Sequence, residues 1–252
     1  WGHDGYLAKG ALEVADTGTL MLNTVRWAGR GDTPRVAVAD AGELADYLAA
    51  KGLPVQRIRV RDLESEMPQA DVICLNALHI GSAAQLEHLQ AFLDAGGGIV
   101  TAATGWGWIQ LNPGHTANRD FFGNALLVHA GLAFSGAMSG RTSKQGFAVS
   151  DTISPYVNAG VALDALLAQE AGTLALDKED LKQASVAVSQ AARTLSVTDT
   201  CLLPRLKALL NDQRNPIVPT RENPVRATDG LKRLVLSLQT DELNRTPANE
   251  VQ

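Results

Sequence analysis

The chain has 252 residues, 45% hydrophobic and 19% charged, the balance of an ordinary folded protein with material for one large domain or two modest ones. A formal net charge of −5 offers no basic footprint for nucleic acid, and no apolar run reaches the roughly 18–20 residues of a membrane-spanning helix. Two cysteines, Cys74 and Cys201, are too few for a disulfide framework and too far apart for a zinc knuckle.

The opening "WGHDGYLAKG" carries no initiator Met, no basic n-region and no apolar h-region, and reads as the end of a strand running into a loop. The expectation is a piece of a longer polypeptide, for which a missing signal peptide does not argue against export. "TGTLMLNTVRWAG", 17–29, has the spacing of a helix packed on a sheet. "RVAVA", 35–39, is a short buried strand. In "DAGELADYLAAKG" Asp40 is placed to cap a helix, Glu43 completes a capping box, Leu44, Tyr47 and Leu48 share a face, and Gly52 suits the C-terminal cap. "VQRIRV", 55–60, alternates as a strand does. "ADVICLN", 70–76, is the continuous apolar run of a strand covered on both faces, with Cys74 buried inside it.

"SAAQLEHLQAFLDAGGG" is the clearest helix, with Ser82 and Gln85 as a capping box and Leu86, Leu89, Phe92 and Leu93 as its stripe. "GIVTAA" is the next strand, and "NALLVHAGLAF", 124–134, another helix ending near Gly131. Strand–helix–strand alternation with short connections predicts a flavodoxin-like α/β fold: a parallel sheet with helices on both faces. From about residue 135 the composition turns small and polar. The segments "NAGVALDALLAQEAG", "KEDLKQASVAVSQAARTL" and "CLLPRLKALLND" then carry helical spacing, and a Pro- and Asn-rich stretch precedes a last helix, "LKRLVLSLQTDEL". The predicted organisation is an α/β domain over 1–150 and an all-helical region over 151–252.

Sites in such sheets lie at the carboxyl ends of the strands. Three loops should meet there: "GHDGYLAKG", "NALHIGS" and "TGWGWIQLNPG". They carry His3, Asp4, His79, Thr104, Trp106, Trp108 and His115, which are the candidate ligand-binding residues. The histidines with Asp4 can form an acid–base or metal cluster, but their spacing matches no metal motif and there is no HExxH. Ordinary hydrogen-bonded loop histidines are the plainer reading, so no metal or cofactor is assigned. His88 and His129 fall within or near helices and read as structural. Glycine-flanked Trp106 and Trp108 either plug the end of the sheet or offer a stacking platform.

The fold suggests class I glutamine amidotransferases, whose G-x-C-x-G turn presents a thiol and whose His-x-Glu pair serves it. Aligned on its last glycine, "ATGWG" places Gly105 where the thiol would stand, and no His is followed two residues later by Glu. Thr104 is a candidate nucleophile at that turn, with no base specified beside it. The stretch is expected to be a degenerate active-site loop, with Gly105 at φ > 0.

"GHDGYL", "LMLNTVRWAG", "GGGIVTAATGWGWIQLNPG" and "DFFGNALLVHAGLAFS", in this order over residues 1–135, resemble the amidotransferase-like domain of enhancin-like, mucin-degrading metallopeptidases. The same domain is found in vertebrate TRP-channel-associated factors. The resemblance implies a non-catalytic accessory module, for binding or scaffolding, of a larger exported bacterial protein. Its expected partners are a glycan or glycoprotein and other domains of the same polypeptide, and its expected location is secreted or cell-envelope. It transfers no catalytic residue. The rival reading is a hydrolase with a metal- or His/Asp-based site at the carboxyl end of the sheet.

Overall fold

Four short runs, each carrying β-branched residues, form one sheet in which every pair is parallel. They are β1 (Val36–Ala39), β2 (Val55–Ile58), β3 (Val72–Asn76) and β4 (Gly98–Ala102), in the order β2-β1-β3-β4. This is the first part of the 2-1-3-4-5 order of flavodoxin-like sheets, whose ligands sit where the order reverses, here between β1 and β3. The computed structural model describes residues 1–137 and 153–210 and divides into two units, Trp1–Gly136 and Ala137–Gln252.

Alternate residues of each strand face opposite layers. Val36, Val38, Val72, Cys74, Val100 and Ala102 pack under α1 (Lys9–Leu12), α2 (Thr17–Ala28) and α3 (Gly42–Ala50), through Leu12, Met21, Val25, Leu44 and Leu48. Ala37, Ala39, Ile73 and Leu75 face the other layer, which holds α4 (Ala83–Asp94), α5 (Gly105–Leu111) and α6 (Phe122–Leu127) with Leu89, Phe121, Leu126 and Phe134. The continuous apolar pattern of β1 and β3 thus reflects burial on both sides.

Two capping expectations change in detail. Asp40 does not cap α3, whose N-cap is Ala41 with no side-chain bond. Asp40 instead has φ 52° and accepts the Val60 N–H at 2.9 Å, tying the end of β1 to the turn after β2. Glu43 likewise turns away from the cap and accepts the Lys9 N–H at 2.6 Å. At α4, Ser82 Oγ does accept from Gln85 N at 3.3 Å, but Gln85 Oε1 reaches back one residue further than expected, to Gly81 N at 2.8 Å. The helix expected over 124–134 is α6 with a 3-10 turn, Val128–Ala130, closed by Gly131 at φ 67°.

In the second unit, α7 (Ala159–Glu170), α8 (Lys178–Thr194) and α9 (Leu203–Leu210) share a core of Leu163, Leu166, Val188, Leu202 and Leu206. Asn158 caps α7 and Asp177 caps α8, each with its side-chain oxygen on two backbone N–H groups. The polar stretch at 138–152 and the final helix expected at 231–243 lie outside the described residues.

Candidate functional site

The carboxyl ends of β3 and β4 hold a small polar knot centred on Asp4. The chain enters through a 3-10 turn, Asp4–Leu7, capped by His3, whose Nδ1 accepts the Gly5 N–H at 2.9 Å. Thr104, just past β4, donates its hydroxyl to Asp4 Oδ1, and Asn76, the last residue of β3, donates Nδ2–H to Asp4 Oδ2 at 3.4 Å. Asn76 Oδ1 also accepts the Leu78 N–H at 3.0 Å, which caps the 3-10 turn Ala77–His79.

Burial pushes the Asp4 pKa up, but the Thr104 hydroxyl and the other bonds outweigh it and hold the carboxyl below its ordinary value. His3 Nδ1 lies 3.4 Å from Asp4 Oδ1. Since that nitrogen already accepts from Gly5, its lone pair points there, and the approach to Asp4 is not a hydrogen bond of neutral imidazole. Asp4 is therefore a well-satisfied carboxylate of low basicity, and Thr104, 6% exposed, is out of reach of a substrate. The pair is arranged to hold three segments together and is poorly placed to activate a nucleophile.

The stretch "TGWGWIQL" is not a loop. Thr104 is the N-cap of α5, which begins at Gly105 in helical conformation, and Gly105 has no positive φ. The strained elbow expected there is absent. Gly105 has a different role: a Cβ built on it would lie 2.2 Å from the carbonyl oxygen of Ser135. The backbone of 135 thus crowds the point from which a side chain at 105 would leave, and any larger residue there requires a backbone shift.

The two tryptophans part company. Trp108 stacks on Phe121 with centroids 5.1 Å apart, and Phe121 in turn lies 5.9 Å from Phe134. Trp106 is 38% exposed on the outer side of α5. Below the aromatic stack, buried Asn124 donates to the carbonyls of Ala117 and Phe134, both at 3.1 Å, and accepts the Phe134 N–H at 2.6 Å. That clip holds the 117–134 segment against the sheet.

His79 and His115 do not join the knot. His79 is exposed at the end of its turn, and His115 is exposed with Nδ1 3.6 Å from Asp120 Oδ2. No group of three His, Cys, Asp or Glu side chains able to hold a metal occurs among the described residues. His88 is structural, its Nδ1 on the Leu63 carbonyl, whereas exposed His129 lines a surface cleft. Burial pushes the Cys74 thiol up to about 12, and Cys201 is exposed. The sequence reading missed Asn76 and Asn124. The signal for both was the same: one amide side chain at the end of, or inside, an otherwise apolar run.

Residues 1–149 match the sequence profile of a family described as "TRPM8, N-terminal domain" (TCAF_N). TRPM8 channel-associated factor 2 of Bos taurus is 32% identical over 126 residues, 50% of this chain and 13% of that protein. TRPM8 channel-associated factor 1 of Homo sapiens is 28% identical over 240 residues, 92% of this chain and 24% of that protein. The homolog in Danio rerio is 26% identical over 135 residues, 53% of this chain and 13% of that protein. The chain thus spans between 13% and 24% of the length of these relatives. No solved structure matches.

These relatives overturn part of the sequence reading. They are vertebrate channel-associated factors, so the expectation of a module from an exported bacterial metallopeptidase is corrected. With it go the glycan or glycoprotein partner, the secreted or cell-envelope location and the rival hydrolase. The matches fall on the channel-associated branch of the resemblance and not on the peptidase branch. No helix among the described residues is long and apolar enough to cross a membrane.

Proposed function

This chain belongs to the TRPM8 channel-associated factor family, and on that premise we propose that its α/β unit is a non-catalytic contact domain of a channel-regulating protein. The observation that carries the reading is Gly105. The Ser135 backbone crowds this position, which in the amidotransferase alignment would carry the thiol, and this supports a sheet end that offers a shape and not a reaction centre. The finer reading, descent of residues 1–150 from a class I glutamine amidotransferase, is supported by the parallel β2-β1-β3-β4 order and the helix opening directly after β4. Residues 151–252 make a separate helical region in the same proposal.

The contact surface of this reading is the carboxyl end of the sheet. His3, Asp4 and Thr104 set its floor, Trp106 and His79 stand exposed above it, Trp108 supports α5 from below, and His115 lies at the margin. The partner is a polypeptide surface of a TRPM8-type channel, after the name its relatives carry. The test is co-expression of this chain with TRPM8 in a cell line. Expected outcomes are co-purification with the channel and a changed current density, both reduced at least about tenfold in a Trp106→Asp, His79→Asp double variant. Absence of co-purification for the intact, folded chain overturns the proposal.

A further inference from the structure

One ring nitrogen at the carboxyl end of the sheet stands between two partners that it cannot serve together. His3 Nδ1 accepts the Gly5 N–H at 2.9 Å, the side-chain cap of the 3-10 turn Asp4–Leu7. The same Nδ1 lies 3.4 Å from Asp4 Oδ1. To accept from Gly5 the nitrogen must keep its lone pair, so the neutral ring that caps the turn carries its proton on Nε2. To bond Asp4 the nitrogen must carry a proton, and then no lone pair is left for Gly5. Among the described residues the Gly5 N–H has no other partner.

The turn is shaped to hold this ring. A Cβ built on Gly5 would lie 3.0 Å from His3 Nδ1 and 3.2 Å from its Cε1, so glycine at 5 leaves the space in which the imidazole approaches the backbone. Tyr6 meets the ring edge-on, with centroids 6.4 Å apart. The other charged groups around the turn have partners of their own. Lys9 of α1 pairs with Glu13 at 3.7 Å, Glu43 of α3 accepts the Lys9 N–H at 2.6 Å, and the Trp1 amino group donates to Thr101 O at 2.9 Å. His79 is exposed at the end of a separate turn. Asp4 is thus the carboxylate within ion-pair distance of the imidazole among the described residues. Burial raises the Asp4 pKa, but the Thr104 bond and the others bring it below its ordinary value. The carboxylate therefore keeps its charge over the range, about pH 8 to 5, in which histidines gain a proton. Its Oδ1 already accepts from Thr104, and a carboxylate oxygen has two lone pairs, so a second donor does not displace the first.

We propose that His3 is a proton switch in this turn: the neutral imidazole caps Gly5, and the imidazolium leaves the cap and turns its Nδ1–H to Asp4 Oδ1. The proton comes from solvent, to which His3 is exposed, and the only covalent bond made is N–H on Nδ1. Acidification removes the cap of the turn that carries Tyr6 and Leu7, and adds a positive charge beside Asp4. His3 and Asp4 belong to the floor of the proposed contact surface, so a partner there meets two different surfaces on the two sides of the transition. That consequence rests on the function proposed above, whereas the switch itself does not.

The test is an NMR titration of the full chain from about pH 8 to about pH 5. At the alkaline end the ring-nitrogen shifts of His3 should show the proton on Nε2 and a bare Nδ1. As the ring gains its second proton, protection of the Gly5 amide from hydrogen exchange, corrected for the intrinsic pH dependence, should fall several-fold in step with it. The comparison is His3→Asn, whose side-chain oxygen can accept from Gly5 and gains no proton in this range. Its Gly5 protection should be the same at both ends. His79 titrates in both chains and so cancels. A crystal structure at about pH 5 should show Nδ1 within hydrogen-bond distance of Asp4 Oδ1 and withdrawn from Gly5 N. A neutral ring with its proton on Nδ1 overturns the proposal. So does Gly5 protection that does not change with pH, or that falls equally in His3→Asn. None of these readouts involves the channel, so this test and that of the contact domain fail separately.

Discussion

The carboxyl end of the β3–β4 pair and the outer edge of β4 belong to one α/β unit and have been finished in opposite ways. At the carboxyl end every opportunity for a ligand is used up by the protein itself. Asp4 is taken by Thr104 and Asn76, the space at Gly105 by the Ser135 backbone, and the apolar space by Trp108 on Phe121. Along the outer edge, the Ile99 N–H and C=O and the Thr101 N–H have no partner among the described residues, and an apolar cleft lies between two layers. The fold class directs attention to the first place. The uncommitted chemistry is in the second, and what remains for a partner at the first is surface: Trp106 and His79.

That contrast breaks most visibly at Trp108. If the carboxyl end is closed by packing, Trp108→Ala removes a half-buried indole from the Phe121–Phe134 stack and should cost about 3–5 kcal/mol, read by urea unfolding. A cost below about 1 kcal/mol would mean that the indole is only laid over the site and that the end is open.

Gly105→Ala has the next largest effect, and its sign is diagnostic. In an ordinary helix the change stabilises by up to about 1 kcal/mol. Here the new Cβ meets the Ser135 carbonyl oxygen at 2.2 Å, so the backbone must move, with an expected loss of about 1–3 kcal/mol in thermal or urea unfolding. Gly105→Cys should lose at least as much and show no acyl-transfer activity. A stabilised Gly105→Ala protein would mean that the start of α5 is open at this point and not crowded by the Ser135 backbone.

How far the sequence discloses these features depends on whether they are local. The apolar runs of β3 and β4, the helix over 17–29 and the Ser82 cap of α4 are each written within about a dozen residues, and all appear as expected. Asp4 with Thr104 is a pairing across 100 residues, and Asp4 with Asn76 one across 72, which no pattern announces. The stretch "GWGW" misleads because glycine lowers helix propensity. The helix forms there since Gly105 is required by the Ser135 contact and Trp108 gains a stack on buried Phe121. The cleft is harder still, being assembled from α2, α4, β4 and α6.

Trp106 sharpens the comparison from the other side. It lies two residues from Trp108, yet is 38% exposed. Trp106→Ala should therefore cost about 1 kcal/mol or less of stability. In co-purification with the channel it should nonetheless reduce recovery several-fold, since an exposed aromatic is the usual anchor of a contact surface. A stability loss equal to that of Trp108→Ala would make it part of the plug.

The smallest expected effect is the acid behaviour of Asp4, and its sign is fixed by the bonds around it. Burial raises the carboxyl pKa, but the Thr104 hydroxyl, the Asp4 backbone, His3 and the Asn76 amide together bring it below the ordinary value. A carboxyl with a depressed folded pKa contributes stability that is complete above its unfolded pKa of about 3.9. That contribution is lost as pH falls through the folded pKa. Thr104→Val removes the strongest of these bonds and leaves burial opposed only by the weaker ones. The Tm gap between the native chain and Thr104→Val should thus be constant from about pH 7 to 5 and narrow below about pH 4, where protonation deprives both of the charge. A gap that stays the same down to pH 2 would show that Thr104 acts through packing alone. Asp4→Asn separates the two: if the knot is electrostatic, it should flatten the acid limb even with Thr104 in place.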